Sequence, residues 1–127
     1  MAKILVIDDE HLVRHTLART LRRQGYKVTT AADGEGGMAA FRGGEPDVVI
    51  ADIVMFESQH RPTIQQMRDE RPNAKIIGIS GGGSSDDPEI LAIARQLGAD
   101  DVIGKPFDPA ELLHRVRRLH KRAQAAA

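Results

Sequence analysis

Residues 47–52 read Asp47-Val48-Val49-Ile50-Ala51-Asp52, an apolar run of strand length that follows the turn-forming Gly43-Gly44-Glu45-Pro46 and ends in a carboxylate. An unbroken apolar run with no polar alternation marks a strand buried on both faces, as in a parallel sheet covered by helices on each side. Ligands of such sheets bind beyond the C-terminal ends of the strands, so this strand carries Asp52 to the edge where chemistry takes place.

Working outward, the same pattern recurs. Lys3 to Ile7 is a short apolar run that stops at Asp8-Asp9-Glu10, Lys75 to Ser80 ends in a hydroxyl, and Asp101 to Gly104 ends at Lys105-Pro106. Tyr26 to Ala32 is β-branched and strand-like, closed by Asp33-Gly34. Between these runs the periodicity turns helical. Leu12, Val13, Leu17 and Leu21 form an apolar side opposite Arg14, Arg19, Arg22 and Arg23, with Gly25 as the stop. Glu35 to Arg42 is a weaker helix, expected to be loosely held because Gly36 and Gly37 each cost about 1 kcal/mol against Ala. A short helix over Thr63 to Glu70 follows Pro62. Asp87-Pro88-Glu89 opens another, with Ile90, Leu91, Ile93, Ala94 and Leu97 inward and Gly98 as its stop. Asp108-Pro109-Ala110-Glu111 opens the last, carrying Leu112, Leu113, Val116 and Leu119.

Five strands alternating with five helices predict a three-layer α/β domain with a parallel sheet, and for five strands the flavodoxin-like order 2-1-3-4-5 leads. The domain is expected over residues 1–122, with a frayed Ala-rich tail at 123–127. A chain of 127 residues holds one such domain. Lys plus Arg equal Asp plus Glu at 18 each, which disfavours direct nucleic-acid binding. Cysteine is absent, no apolar stretch approaches the ~18 residues of a membrane span, and the first residues are too short an apolar run for a signal peptide, so a cytoplasmic protein is expected.

In the expected strand order Asp8, Asp9 and Asp52 converge at one corner, flanked by Ser80 and Lys105. Mutually repelling carboxylates need a cation, and a hard ion such as Mg²⁺ suits all-oxygen ligands. A lysine and a hydroxyl beside Asp52 suit an anion that is sometimes present, since both can donate to phosphoryl oxygens. The set describes a carboxylate that accepts a phosphoryl group, with Asp52 as nucleophile and Lys105 and Ser80 holding the other oxygens.

These motifs together, Asp8-Asp9, Asp52 in Asp52-Ile53-Val54-Met55, Ser80, and Lys105-Pro106-Phe107, resemble the receiver domain of two-component response regulators across nearly the whole chain. The resemblance implies that Asp9, Asp52 and the Val54 carbonyl ligate Mg²⁺, that Asp8 helps through water, and that the Lys105-Pro106 peptide is cis. It further implies a phosphohistidine donor, on a sensor histidine kinase or a histidine phosphotransfer protein, and self-catalysed phosphorylation and dephosphorylation in a signalling domain that is not an enzyme in the usual sense. No output domain follows, so the expectation is a stand-alone, chemotaxis-regulator-like module that switches its binding to a downstream protein.

The sequence departs from the family pattern in three places. Phe56 and His60 stand where the family usually has Pro and Gly, and Val102 stands where strand 5 commonly carries an aromatic that moves with the phosphorylated state. Switching is therefore expected to run through the Gly81 to Ser85 loop and the helix after it. A second reading is a pseudo-receiver, a constitutive protein-binding module. A flavodoxin-like electron carrier is disfavoured, because Asp8-Asp9-Glu10 would repel a flavin phosphate and Trp is absent. No Gly-Lys-Ser/Thr follows the glycine run at 81–83, so it is read as a linker. The histidines, including His11 and His15 four residues apart, are read as surface residues, and the cluster from Arg115 to Arg122 as a solvated helix end.

Overall fold

The central apolar runs pair with one another because they are too hydrophobic to leave either face in water. The computed structural model describes residues 2–53, 62–81 and 87–126, with side chains through 122. In chain order the elements are β1 (Lys3–Ile7), α1 (His11–Arg23), β2 (Lys27–Ala31), α2 (Gly34–Gly44), β3 (Val48–Asp52), α3 (Thr63–Glu70), β4 (Ile76–Ser80), α4 (Pro88–Leu97), β5 (Asp101–Gly104) and α5 (Pro109–Ala126). The strands form one parallel sheet in the order β2-β1-β3-β4-β5, as the sequence predicts.

Central β3 and β4 are buried throughout, whereas β2, at the sheet edge, is half exposed. The sheet separates two cores. Ile4, Val6, Val48, Ile50, Ile77 and Ile79 face Leu17 and Leu21 of α1 and Leu112, Val116 and Leu119 of α5. Leu5, Ile7, Val49 and Ile76 face Met38 and Phe41 of α2, Ile64 and Met67 of α3, and Ala94 of α4.

Local signals set the helix ends. Asp33 accepts from the Gly36 amide at 2.6 Å and Asp87 from the Glu89 amide at 2.9 Å, each capping a helix N-terminus. Gly25 and Gly98, at φ 92° and 109°, take the left-handed turn that ends α1 and α4. No helix among the described residues is long and apolar enough to cross a membrane.

Four expectations change. Leu12 does not join the apolar side of α1. It is 75 % exposed, because the buried stripe is Val13, Leu17 and Leu21 at strict four-residue spacing. Ile93 is 42 % exposed on α4. α2 is not loosely packed: Met38 and Phe41 are fully buried, and a Cβ at Gly37 would lie 2.6 Å from Ile7 Cδ1, so glycine lets the helix close on β1. α5 continues to Ala126, as Ala-rich sequence favours, so its cationic cluster lies before the last turn rather than in it. Within that cluster Arg115 and Arg118 both turn back to clasp Asp101 at the start of β5.

Candidate functional site

The sheet register assembles the site. Ile7 pairs with Ala51, so the next residues, Asp8 and Asp52, emerge side by side. Ser80 pairs with Gly104, and the Lys105 amide donates to the Ser80 carbonyl at 2.8 Å, which brings Lys105 to the same edge. The Lys105-Pro106 peptide is cis.

Lys105 is the hub. Its Nζ lies 2.7 Å from Glu10 Oε1, 3.0 Å from Asp8 Oδ2 and 3.1 Å from Asp52 Oδ2. Burial works against its charge, yet Glu10, Asp8 and Asp52 together hold its pKa well above the ordinary lysine value. Asp8 is fully buried, and that desolvation pushes its carboxyl above the usual aspartate range even though the Glu10 amide and Lys105 pull the other way. One Asp8 oxygen accepts from the Glu10 amide at 2.8 Å. The other, Oδ2, is buried with no donor in hydrogen-bonding geometry despite its proximity to Lys105. Arg14 anchors the same turn by donating to the Asp8 carbonyl at 2.8 Å.

The donor set fits a hard divalent ion. Oxygens of Asp8, Asp9 and Glu10 lie within 4.8 Å of one another, and the buried Asp8 Oδ2, which accepts no hydrogen bond and has the Lys105 ammonium 3.0 Å away, is an oxygen that a metal ion could share with the lysine. Asp52 falls outside that trio and leans on Lys105. Val54, whose carbonyl is an expected ligand, lies outside the described residues, as do Phe56, His60 and the loop residues 82–86. Ser80 is buried at the end of β4, and among the described residues a Cβ on Gly81 would meet nothing nearer than Lys105 Cδ at 4.0 Å.

Asp8, Asp9, Asp52, Ser80 and Lys105 therefore share one edge. Glu10 was not anticipated. In the sequence it is merely the last of three acids, and only the folded chain reveals that it holds a lysine 95 residues away. Val102 is fully buried in β5. His11 and His15 are exposed and stacked, ring centroids 6.0 Å apart, and neither joins the carboxylate trio.

A family model described as the response regulator receiver domain matches residues 4–117. The chain belongs to that family. Receivers of this family are phosphorylated on an aspartate, bind Mg²⁺ through acidic residues and interact with histidine kinases or phosphotransfer proteins. Among curated relatives, this receiver is 38 % identical over 122 residues to a probable transcriptional regulator, ycf27, of Cyanophora paradoxa, covering 96 % of this chain and 49 % of that protein. It is 32 % identical over 125 residues to the alkaline phosphatase synthesis transcriptional regulatory protein PhoP of Bacillus subtilis, covering 98 % and 51 %. The receiver thus spans about half the length of the curated relatives it matches. Among solved structures it resembles a receiver domain protein from Clostridium thermocellum, with TM-score 0.87 and 26 % identity over the whole of both chains. It also resembles the chemotaxis protein CheY4 of Vibrio cholerae, with TM-score 0.81 and 30 % identity over 94 % and 98 % of the two chains.

Proposed function

We propose that Asp52 is the phosphoacceptor of this receiver and that phosphorylation there switches its binding to a partner protein. The observation that carries the reading is the Lys105 ammonium 3.1 Å from the Asp52 carboxylate at the open edge of the sheet. A carboxylate oxygen of Asp52 attacks the phosphorus of a phosphohistidine on a sensor kinase or phosphotransfer protein. The new O–P bond forms as the P–N bond breaks, and the electron pair returns to the imidazole nitrogen, which takes up a proton. Lys105 and Ser80 donate to the phosphoryl oxygens, the ammonium offsetting the charge that accumulates there.

Asp8, Asp9 and Asp52, with the Val54 carbonyl, would hold Mg²⁺, and the position of Glu10 adds it as a further oxygen donor. The ion would supply charge neutralisation for the transfer. With the metal bound, Lys105 and Ser80 would position the phosphoryl without a second protein, so uptake from a small donor and slow hydrolysis are read as self-catalysed. Leu12, three-quarters exposed two residues beyond the acidic run, offers the donor protein an apolar contact beside the site.

The test is intact mass after incubation with Mg²⁺ and acetyl phosphate, for the wild type and for Asp52→Asn. A single phosphoryl adduct in the wild type, absent from the variant and in EDTA, is the expected result. No adduct with acetyl phosphate or with a phosphohistidine donor would favour the constitutive binding module instead.

A further inference from the structure

The zero net charge conceals a segregation that bears on a second site. α1 and α5, which cover one side of the sheet, carry nine Lys and Arg side chains and a single carboxylate, Glu111. α2, α3 and α4, on the other side, carry three cations and four carboxylates. The positive layer is not fully neutralised from within. Arg115 and Arg118 are held by Asp101, but Arg117 meets only the Gln24 amide oxygen, at 3.5 Å. Among the described residues neither Lys121 nor Arg122 is paired with a carboxylate.

This charge converges on a concavity. Tyr26, His114, Arg117, Arg118, His120 and Lys121 line a cleft of about 460 Å³ with no carboxylate in its wall. Because α5 starts at the phosphoryl edge and runs back along the sheet, the cleft lies toward the opposite edge, where Tyr26 precedes β2. We propose that it binds a nucleoside phosphate, with Arg117, Lys121 and the two imidazoles on the phosphates and Tyr26 against the base. Three features favour this class. Cations and imidazoles around a hollow suit a compact, multiply charged anion better than a flat protein surface. The half-buried Tyr26, packed against the core, gives a fixed aromatic wall for a planar ring, which a bare phosphate would leave unused. The volume is that of a small-ligand site. The proposal is independent of Asp52 and of any metal at the other edge.

Tyr26 is the chain's sole tyrosine and tryptophan is absent, so its ring resonances report on this cleft alone. The experiment is an NMR titration of the full chain with ADP and, separately, with pyrophosphate, repeated on Arg117→Ala/Lys121→Ala and on Arg19→Ala/Arg23→Ala. The second double variant removes equal charge from the same layer at exposed positions outside the cleft. Saturable shifts of the Tyr26 ring with ADP, binding about tenfold tighter than pyrophosphate, are expected. Binding should weaken about tenfold in the cleft variant and change less than about twofold in the control. Shifts that never saturate, or equal weakening in both double variants, would reduce the cleft to general attraction by a positive face and overturn the assignment. Pyrophosphate binding as tightly as ADP would overturn it too, by removing the base.

Discussion

The Lys105 ammonium sits closer to Glu10, at 2.7 Å, than to Asp52, at 3.1 Å. A phosphoryl group arriving on Asp52 must therefore draw the lysine away from a competing carboxylate. Glu10 is 59 % exposed at the side chain, so its hold is worth about 0.2–1 kcal/mol. Glu10→Gln at saturating Mg²⁺ is expected to speed uptake from acetyl phosphate by up to about fivefold, read as the time course of the mass adduct. Slower uptake would mean that Glu10 assists the transfer rather than competing with it.

Asp8 opposes folding when ionised. Its carboxyl is raised chiefly by burial, so its favourable contribution to stability is complete below the ordinary value of 3.8 and is lost as pH rises through the raised pKa. Asp8→Asn removes that penalty and keeps an acceptor for the Glu10 amide. Without Mg²⁺ it should melt at a higher temperature than wild type at pH 7 while losing phosphoryl uptake. The advantage over wild type should shrink on acidification and vanish below pH 3.8. A variant less stable than wild type at pH 7 in thermal denaturation would sink this account.

Two glycines of α2 should respond with opposite signs. A Cβ at Gly37 meets buried Ile7 at 2.6 Å, whereas nothing lies within 4 Å of a Cβ at Gly43. Gly37→Ala is expected to cost about 2 kcal/mol, because overpacking outweighs the gain in helix propensity. Gly43→Ala should stabilise by about 0.5–1 kcal/mol. Urea denaturation of the pair decides the matter, and stabilisation by both would show that Ile7 repacks freely.

Arg68 ties α3 to the approaches of β4 and β5. It donates to the carbonyls of Gly98, Pro72 and Ala74 at 2.7–2.8 Å and to Asp100 at 2.8 Å, and Asp100 also accepts from the Ile76 amide. Arg68→Ala should cost about 2–3 kcal/mol by leaving the partly buried Gly98 and Ala74 carbonyls without this donor and Asp100 without its cation. Arg68→Lys should recover less than half of that loss, because an ammonium lacks the planar fork. Full recovery in chemical denaturation would reassign the effect to charge alone.

What the sequence disclosed depended on how local each cause was. Strands such as β3 are legible because burial on both faces writes an unbroken apolar run, and Asp52, Ser80 and Lys105 are legible because each directly follows such a run. Caps at Asp87 and Gly98 act within a few residues of themselves. Glu10 and Arg68 escaped notice because their partners are distant in sequence. Gly37 looked like a weakness because its reason is Ile7, on another element. Leu12 reads as inward because loose helical spacing admits it, while four-residue spacing from Val13 does not. The charged layer was hidden by a sum, since equal totals of acid and base say nothing about which helices carry them.

The two cores on either side of the sheet share no side chain. Substitutions on the helices of opposite cores, with the sheet between them and no packed partner in common, are expected to add in energy. Natural variation can therefore remodel the surface over α1 and α5 for one encounter and that over α2, α3 and α4 for another, with the strand ends at Asp8 and Asp52 left undisturbed. The partition gives this small domain two separately evolvable faces around a single reacting centre.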